Sequence, residues 1–584
     1  MADEESPAPK DPSNHRVAEL FDELADRYEL DGAVVHRVLA YRNAAKAMRE
    51  APRSVAAMTR AGTVTELPGI GKTLEEKLRA LLETGEIPAL EKLRAKFPEG
   101  LLVLTRLPGL GPKRARKLHD ELGVDGPAAL RAAIEAHRVS ALPGFGAKTE
   151  AKLLALLDAA GEDVDAPKRV LLSHALPLAE TLVAELRERG RDAGVHRVEI
   201  AGSARRRADS VHDLDIIATA DDAEALIEVF RTSELVAEVG SSGANGAHGV
   251  LQTGMAVDLR VVAPDQFGSL LQHFTGSKAH NVAIREAAVK RGLHVSEYGI
   301  LDDETGETAR FATEEEVYAR LGLPWIPPEL RENRGELALT EVPPLIEPSD
   351  LRGDLHMHTT HSDGRATVRD MALAARDLGL EYVCITDHSA THGFGDDVQP
   401  DELREIIAEV RAVDEELEGI TVLAGSEVNI GTDGSLDYDD ELLEELDWVV
   451  ASVHTAFQSD PTRRIVAACE HPLVDVIAHP TGRLIERRHA YDLDVDAMID
   501  AARRTGTFLE INASPARRDL HDVHARAARD AGVLLTIDSD AHGPDTLPNT
   551  RWGVATARRA WLSAADVANT RPWDELRTLR KRGR

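Results

Sequence analysis

The chain has 584 residues, 43% of them hydrophobic and 29% charged, and its 101 acidic against 69 basic side chains give a formal charge of -32. That length exceeds what one hydrophobic core can serve and predicts several domains, while the composition excludes a fibrous or disordered chain. Taken alone, the acidity argues against a nucleic-acid partner, because phosphate binding needs clustered Lys and Arg.

The acidity is uneven along the chain. Residues 1–170 are nearly neutral at -1, residues 171–350 carry -14 and residues 351–584 carry -17. A neutral front can present a basic face, and carboxylates concentrated behind it can be solvated surface or cation ligands. Two cysteines, Cys384 and Cys469, cannot staple a chain of this size. With a polar start and no apolar run of membrane length, a soluble cytoplasmic protein with no membrane partner is expected.

The front carries a repeat: LPGIG at Leu67–Gly71, LPGLG at Leu107–Gly111 and LPGFG at Leu142–Gly146, each leading into a helical run with Lys or Arg. An all-α region is expected, as a domain over 1–95 with the first turn and a fingers-like domain over 96–165 with the other two. A Gly-x-Gly turn entering a helix exposes backbone N–H groups to a phosphate oxygen, and side chains there would obstruct it. Gly69 and Gly71, Gly109 and Gly111, and Gly144 and Gly146 fit that role, with Lys72, Lys113 and Lys148 beside them. Glycine caps alone would explain one such turn, but three with adjacent cations favour phosphate binding. The spacing resembles the helix-hairpin-helix motif, which binds DNA without reading its sequence.

From Arg197 strand-like runs alternate with helices, predicting an α+β region. In DLDIIAT, Asp213 and Asp215 are two apart on a strand and leave the same face, and Asp258 in MAVDLRVV can join them from a neighbouring strand. Three converging carboxylates repel unless divalent cations lie between them, an arrangement suited to phosphoryl transfer. Upstream, Gly202 and Ser203 with Arg205 and Arg206 offer a flexible turn and cations for a triphosphate.

Together with HFTGSKAHN at 273–281, these residues resemble the palm and thumb of the family X DNA polymerases, the DNA polymerase beta family. The resemblance implies a palm over 166–265 and a thumb over 266–323. It further implies Asp213, Asp215 and Asp258 as catalytic ligands of Mg²⁺ or Mn²⁺, and Gly202, Ser203 and Arg206 as triphosphate contacts. Phe274, Thr275, Gly276 and Asn281 would form the nucleotide pocket. His212, Arg207 and His273 depart from the family pattern, and a side chain at His212 can hinder a backbone approach to the triphosphate. AYRNAA at 40–45 and LPGIGKTLEEKL at 67–78 resemble the family's amino-terminal domain, which places its abasic-sugar lysine at Lys77. A Schiff-base lysine must be partly neutral, and an exposed Lys77 would serve instead as a phosphate contact.

The Pro-rich, charged segment 324–350 reads as a linker. Beyond it, over 351–584, apolar strand-like runs alternate with helices and repeatedly end in a polar residue, predicting a parallel barrel with a catalytic face at the strand ends. His356, His358, Asp363, His388, Glu427, His454, His479, Asp540 and His542 follow these runs. Such a set suits Mn²⁺, Zn²⁺ or Fe²⁺. It resembles the PHP family, implying a distorted (β/α)7 barrel with a trinuclear metal centre that hydrolyses phosphoesters. Asn512 and Arg517 are candidate phosphate contacts, while His361, His392 and His489 read as surface residues.

The domain order resembles that of bacterial and archaeal family X polymerases with a PHP domain. It implies a DNA repair enzyme, active in base excision repair, that combines gap-filling polymerase with 3′-5′ exonuclease activity. The implied partners are gapped or primer-template DNA with 3′ ends or abasic sites, and deoxynucleoside triphosphates. A monomer in the cytoplasm, at the nucleoid, is expected. Two other readings stay open: a PHP phosphoesterase with a vestigial polymerase region, and a DNA-structure-binding scaffold.

Overall fold

A computed structural model describes residues 11–105, 110–159, 169–393, 395 and 397–583. The described chain forms two compact bodies whose segments interleave along the sequence. The first holds the front up to residue 159 with 178–198 and 212–262; the second holds 169–177, 199–211 and everything from 263 onward. No helix among the described residues is long and apolar enough to cross a membrane.

In the first body, helices Lys72–Thr84, Pro112–Leu122 and Ala147–Ala159 begin immediately after Gly71, Gly111 and Gly146. Ile70 and Phe145, each between a pair of glycines, are buried in the helical core and pin their turns there, and Leu110 is buried in the same core. Gly69 at φ +79 and Gly144 at φ +92 occupy the left-handed region with open space where a Cβ would stand. Glycine is required there by conformation and not by crowding. Gly109 lies outside the described residues.

A five-stranded sheet follows, in the order Val195–Ile200, Asp213–Ala220, Ala256–Val261, Gly246–Leu251 and Val236–Gly243. Its parallel central pair sets Asp215 directly opposite Asp258.

In the second body, helices Phe267–Thr275 and Lys278–Val289 meet at Gly276 and are followed by a three-stranded antiparallel sheet. The expected linker is instead packed structure. Ile326, Leu330 and Ile346 are buried, Arg331 pairs with buried Glu314, and His280 Nδ1 lies 2.6 Å from Glu336 Oε1. Proline and charge there mark a segment whose buried ionic groups, Glu329, Arg331 and Glu336, are paired, which composition alone does not distinguish from a solvated tether.

Seven parallel strands then pair in chain order: Gly353–Asp354, Tyr382–Ile385, Thr421–Asn429, Trp448–Ser452, Val476–Ile477, Phe508–Asn512 and Leu535–Asp538. A bridge between Met357 and Ala541 closes the ring, with His358 N donating to Ala541 O at 2.8 Å. Tyr382, Cys384, Trp448, Val450, Val476 and Phe508 fill the interior, and alternate residues such as Val383, Val449 and Leu509 pack outward in the larger cluster that includes the helices. This two-sided burial explains the nearly continuous apolar strands.

The loop 199–211 is tied to the barrel within the same body. Arg518 donates to Arg207 O at 3.0 Å and Ala208 O at 3.1 Å, Arg559 donates to Arg206 O at 2.8 Å, and Ser210 Oγ donates to Glu486 at 2.8 Å. Asp209 lies 2.8 Å from Arg483 and 3.3 Å from Arg518, and although burial opposes its ionisation these guanidiniums hold its carboxyl low.

Candidate metal centre and palm

The barrel gathers all nine candidate ligands at the carboxyl ends of its strands. Glu427 stands at the centre. Its Oε1 lies 2.8 Å from His479 Nε2 and 3.2 Å from His454 Nε2, and its Oε2 lies 2.8 Å from His388 Nδ1, 3.4 Å from His356 Nε2 and 3.6 Å from His358 Nε2. Asp540 Oδ1 is 3.2 Å from His358 Nε2, and Asp363 reaches His388 at 3.6 Å and His542 at 3.3 Å. Three groups have ligand atoms within 4.8 Å of one another: His358, Asp363, His388 and His542; His356, His358 and Asp540; and His388, Glu427 and His454.

The donor set fits divalent cations. His356 Nε2, His358 Nε2 and Glu427 Oε2 are buried with no hydrogen-bond partner, a cost that coordination would remove. Burial, reinforced by the neighbouring His388, pushes the His358 imidazole down to about 3. Burial with nearby Arg517 takes His479 down to about 4. Both are thus neutral and ready to ligate at ordinary pH. Burial opposes the charge of Glu427, yet His454, His356 and His388 hold it well below the usual carboxylate range.

Two residues of this site, His392 and Asp387, escape a reading of residue types, and the candidate phosphate contacts Asn512 and Arg517 are found against Asp540. His392, expected at the surface, is fully buried with its ring 4.3 Å from that of His388 and its Nε2 3.0 Å from Asp397. Its neighbours Thr391 and Gly393 are exposed, so the ring turns inward from an otherwise solvated stretch, whereas His489 is exposed as expected. Asp387 accepts from Thr359 N at 2.7 Å and Thr359 Oγ1 at 2.6 Å, fixing the loop that carries Asp363. Asn512 is buried with Nδ2 donating to Asp540 Oδ2 at 3.1 Å, and Arg517 Nε lies 3.6 Å from that same oxygen.

In the first body, Asp213, Asp215 and Asp258 share one face of the sheet, half-buried. Their oxygens do not form one of the tight groups found among the described residues. Two histidines flank them: His212 Nδ1 lies 3.5 Å from Asp213, and His248 Nδ1 lies 3.2 Å from Asp258, its partner on the adjacent strand. His248 has no motif of its own in the sequence and is found only through strand register.

In the second body, Arg206 pairs with Glu332 at 3.0 Å and donates to Thr275 O at 2.9 Å, while Arg205 donates to Thr275 Oγ1 at 2.8 Å. Asn281 Nδ2 donates to His273 O at 2.7 Å and to Gly276 O at 3.1 Å. A Cβ on Gly276 would stand 2.5 Å from Asn281 Oδ1, so this approach requires glycine. Gly202 is buried, and Ser203 and Phe274 are half-buried. Among the front cations, Lys72, Lys113 and Lys148 are exposed, and Lys77 lines a groove of about 550 Å³ with Tyr28, Glu76, Pro88 and Lys92.

Residues 12–87 match a helix-hairpin-helix domain, 101–157 a SAM-like helix-hairpin-helix tandem, 270–332 the DNA polymerase beta thumb and 354–514 the PHP domain. Helical DNA-binding modules, a polymerase thumb and a metal-binding barrel in one chain define a polymerase-type protein with an appended PHP domain. The chain belongs to the PolX family: over 572 residues it is 38% identical to the DNA polymerase/3′-5′ exonuclease PolX of Bacillus subtilis (strain 168), spanning 97% of this chain and 99% of that protein. Shorter stretches are similar to phosphatases. A probable phosphatase of Thermoanaerobacter sp. (strain X514) is 33% identical over 237 residues, 37% of this chain and 89% of that one. A probable phosphatase of Shewanella sediminis (strain HAW-EB3) is 31% identical over 243 residues, 39% of this chain and 94% of that one.

Proposed function

We propose that this chain is a DNA repair enzyme that extends 3′ ends at the palm and trims them at the barrel. The observation that carries this reading is the ring of imidazoles and carboxylates around Glu427, in a chain alignable from end to end with a polymerase/3′-5′ exonuclease. Cations held by the nine barrel residues would supply Lewis acidity towards a phosphoryl oxygen and acidify water. His358 and His479 offer neutral nitrogen donors, Glu427 and Asp540 offset cationic charge, and Arg517 stands beside Asp540 to meet a phosphate with its guanidinium.

At the palm, Asp213, Asp215 and Asp258 would hold Mg²⁺ or Mn²⁺, with Gly202, Ser203, Arg206 and the Phe274–Asn281 turn taking the nucleotide. Three exposed lysines beside the glycine turns would hold the DNA backbone, and the groove at Lys77, with Lys92 as a second amine, would admit an abasic sugar. Manganese, zinc or iron in a trinuclear arrangement fits the mixed nitrogen and oxygen donors of the barrel.

Gapped DNA with a labelled 3′ end, incubated with Mn²⁺ with and without deoxynucleotides, tests both reactions. Extension should disappear in Asp213→Ala/Asp215→Ala and shortening should disappear in His358→Ala. Extension unaffected by loss of the two aspartates would refute the palm assignment. Hydrolysis of small phosphomonoesters without DNA shortening would favour a phosphoesterase with a vestigial polymerase.

A further inference from the structure

Six of the seven barrel strands lead into at least one of the nine ligands; the sixth, Phe508–Asn512, leads into none. Its inward face carries Phe508, Glu510 and Asn512 at alternate positions, while Leu509 and Ile511 pack outward. Glu510 is 1% exposed and Asn512 is 0% exposed. Burying a carboxylate in a barrel interior costs several kcal/mol unless specific partners compensate, so an apolar side chain would pack more favourably if packing were its only role.

Those partners are metal ligands. Glu510 Oε1 lies 2.6 Å from His356 Nδ1, and Glu510 Oε2 accepts the backbone N–H of His479 at 2.6 Å. Asn512 Nδ2 donates to Asp540 Oδ2 at 3.1 Å while its Oδ1 accepts Ser514 N–H at 3.1 Å. Both ends of the Asn512 amide are therefore engaged.

We propose that this strand positions the metal centre: Glu510 orients His356 and His479, and Asn512 orients Asp540. By accepting the Nδ1 proton of His356, Glu510 sets the tautomer and turns Nε2 towards Glu427 and Asp540, at 3.4 and 3.8 Å. Its second oxygen fixes the backbone from which the His479 side chain departs. Asn512 holds one oxygen of Asp540 and leaves the other facing His358 at 3.2 Å. Three ligands from three strands thus take their orientation from a strand that supplies none. Glu510 and Asn512 are positioning residues; the substrate phosphate is left to Arg517 and to the cations.

The inference rests on the barrel being a metal centre, and the test separates the two claims. Full-length protein carrying Asp213→Ala/Asp215→Ala, so that the palm does not contribute, is stripped with chelator and titrated with Mn²⁺, and with Co²⁺ for its absorption spectrum. Glu510→Gln keeps shape but can accept from only one of its two donors, and Asn512→Ser withdraws the amide from Asp540. Each is expected to weaken Mn²⁺ binding roughly 10- to 100-fold and to shift the Co²⁺ spectrum. If the parent binds no ion, the metal-centre reading itself fails. If the parent binds and both variants match it in affinity and spectrum, the positioning role is overturned. Should Glu510→Gln fail to fold, Asn512→Ser carries the same comparison.

Discussion

Single carboxylates carry unusual responsibility in this molecule. Glu427 faces five imidazoles, so Glu427→Gln removes the charge that balances the cluster while keeping its volume. Loss of 3′-end shortening together with a lower content of bound metal, measured by elemental analysis, is expected, with nucleotide addition retained. Glu314 acts on stability instead. Burial opposes its ionisation, but Arg331 and Arg205 hold it at about 2, below an ordinary value of 4.5. Its folded value lies below its unfolded one, so its contribution is fully present above pH 4.5 and is lost as pH falls towards 2. Glu314→Gln is therefore expected to cost about 3–5 kcal/mol at neutral pH, because it leaves Arg331 buried without its partner. The same substitution should flatten the acid limb of the stability profile, measured by denaturant melts across pH.

At the scale of elements, the glycine turns and the barrel strands differ in what they disclose. The LPGxG turns were legible because a repeat signals itself, and the buried middle residues Ile70, Leu110 and Phe145 explain its apolar position. Gly69→Ala forces a Cβ into a left-handed turn at about 1–2 kcal/mol and should loosen DNA through the turn's geometry. Lys72→Gln instead leaves the turn intact and should reduce the slope of log affinity against log salt by about one unit. Fluorescence anisotropy over a salt series distinguishes the two. In the barrel, ligands were legible because most are histidines or acids that follow an apolar run, in a recurring pattern. Glu510 and His248 were not, since each sits inside a strand and acquires meaning only from the residue that register sets beside it. His392 was misread because nothing local in a polar loop reports that it turns inward.

For the whole molecule, the order of modules was readable from motifs, and the acidity that argued against DNA is partly accounted for by carboxylates in the metal centre and in buried ion pairs. The segment 324–350 was not readable, because its proline and charge content is shared by tethers and by well-packed straps; Arg331 and Glu336 decide the matter only through Glu314 and His280. If palm and barrel act on the same 3′ end, Asp213→Ala/Asp215→Ala should leave net shortening of gapped DNA even when deoxynucleotides are present. His358→Ala should give net extension under the same conditions. Gel analysis of both variants beside the parent measures the balance.

The loop 199–211 has a consequence for how such a chain can be divided. Its carbonyls and Asp209 are held by Arg483, Arg518 and Arg559, all encoded far downstream. A stop codon after residue 350 would therefore do more than delete a hydrolase: it would strip residues 199–211, which precede the palm strand in the sequence, of the arginines that hold them. Dissection into a free-standing polymerase and a free-standing nuclease is expected to yield a protease-sensitive front half, and heritable loss of the barrel would demand compensating changes in that loop first.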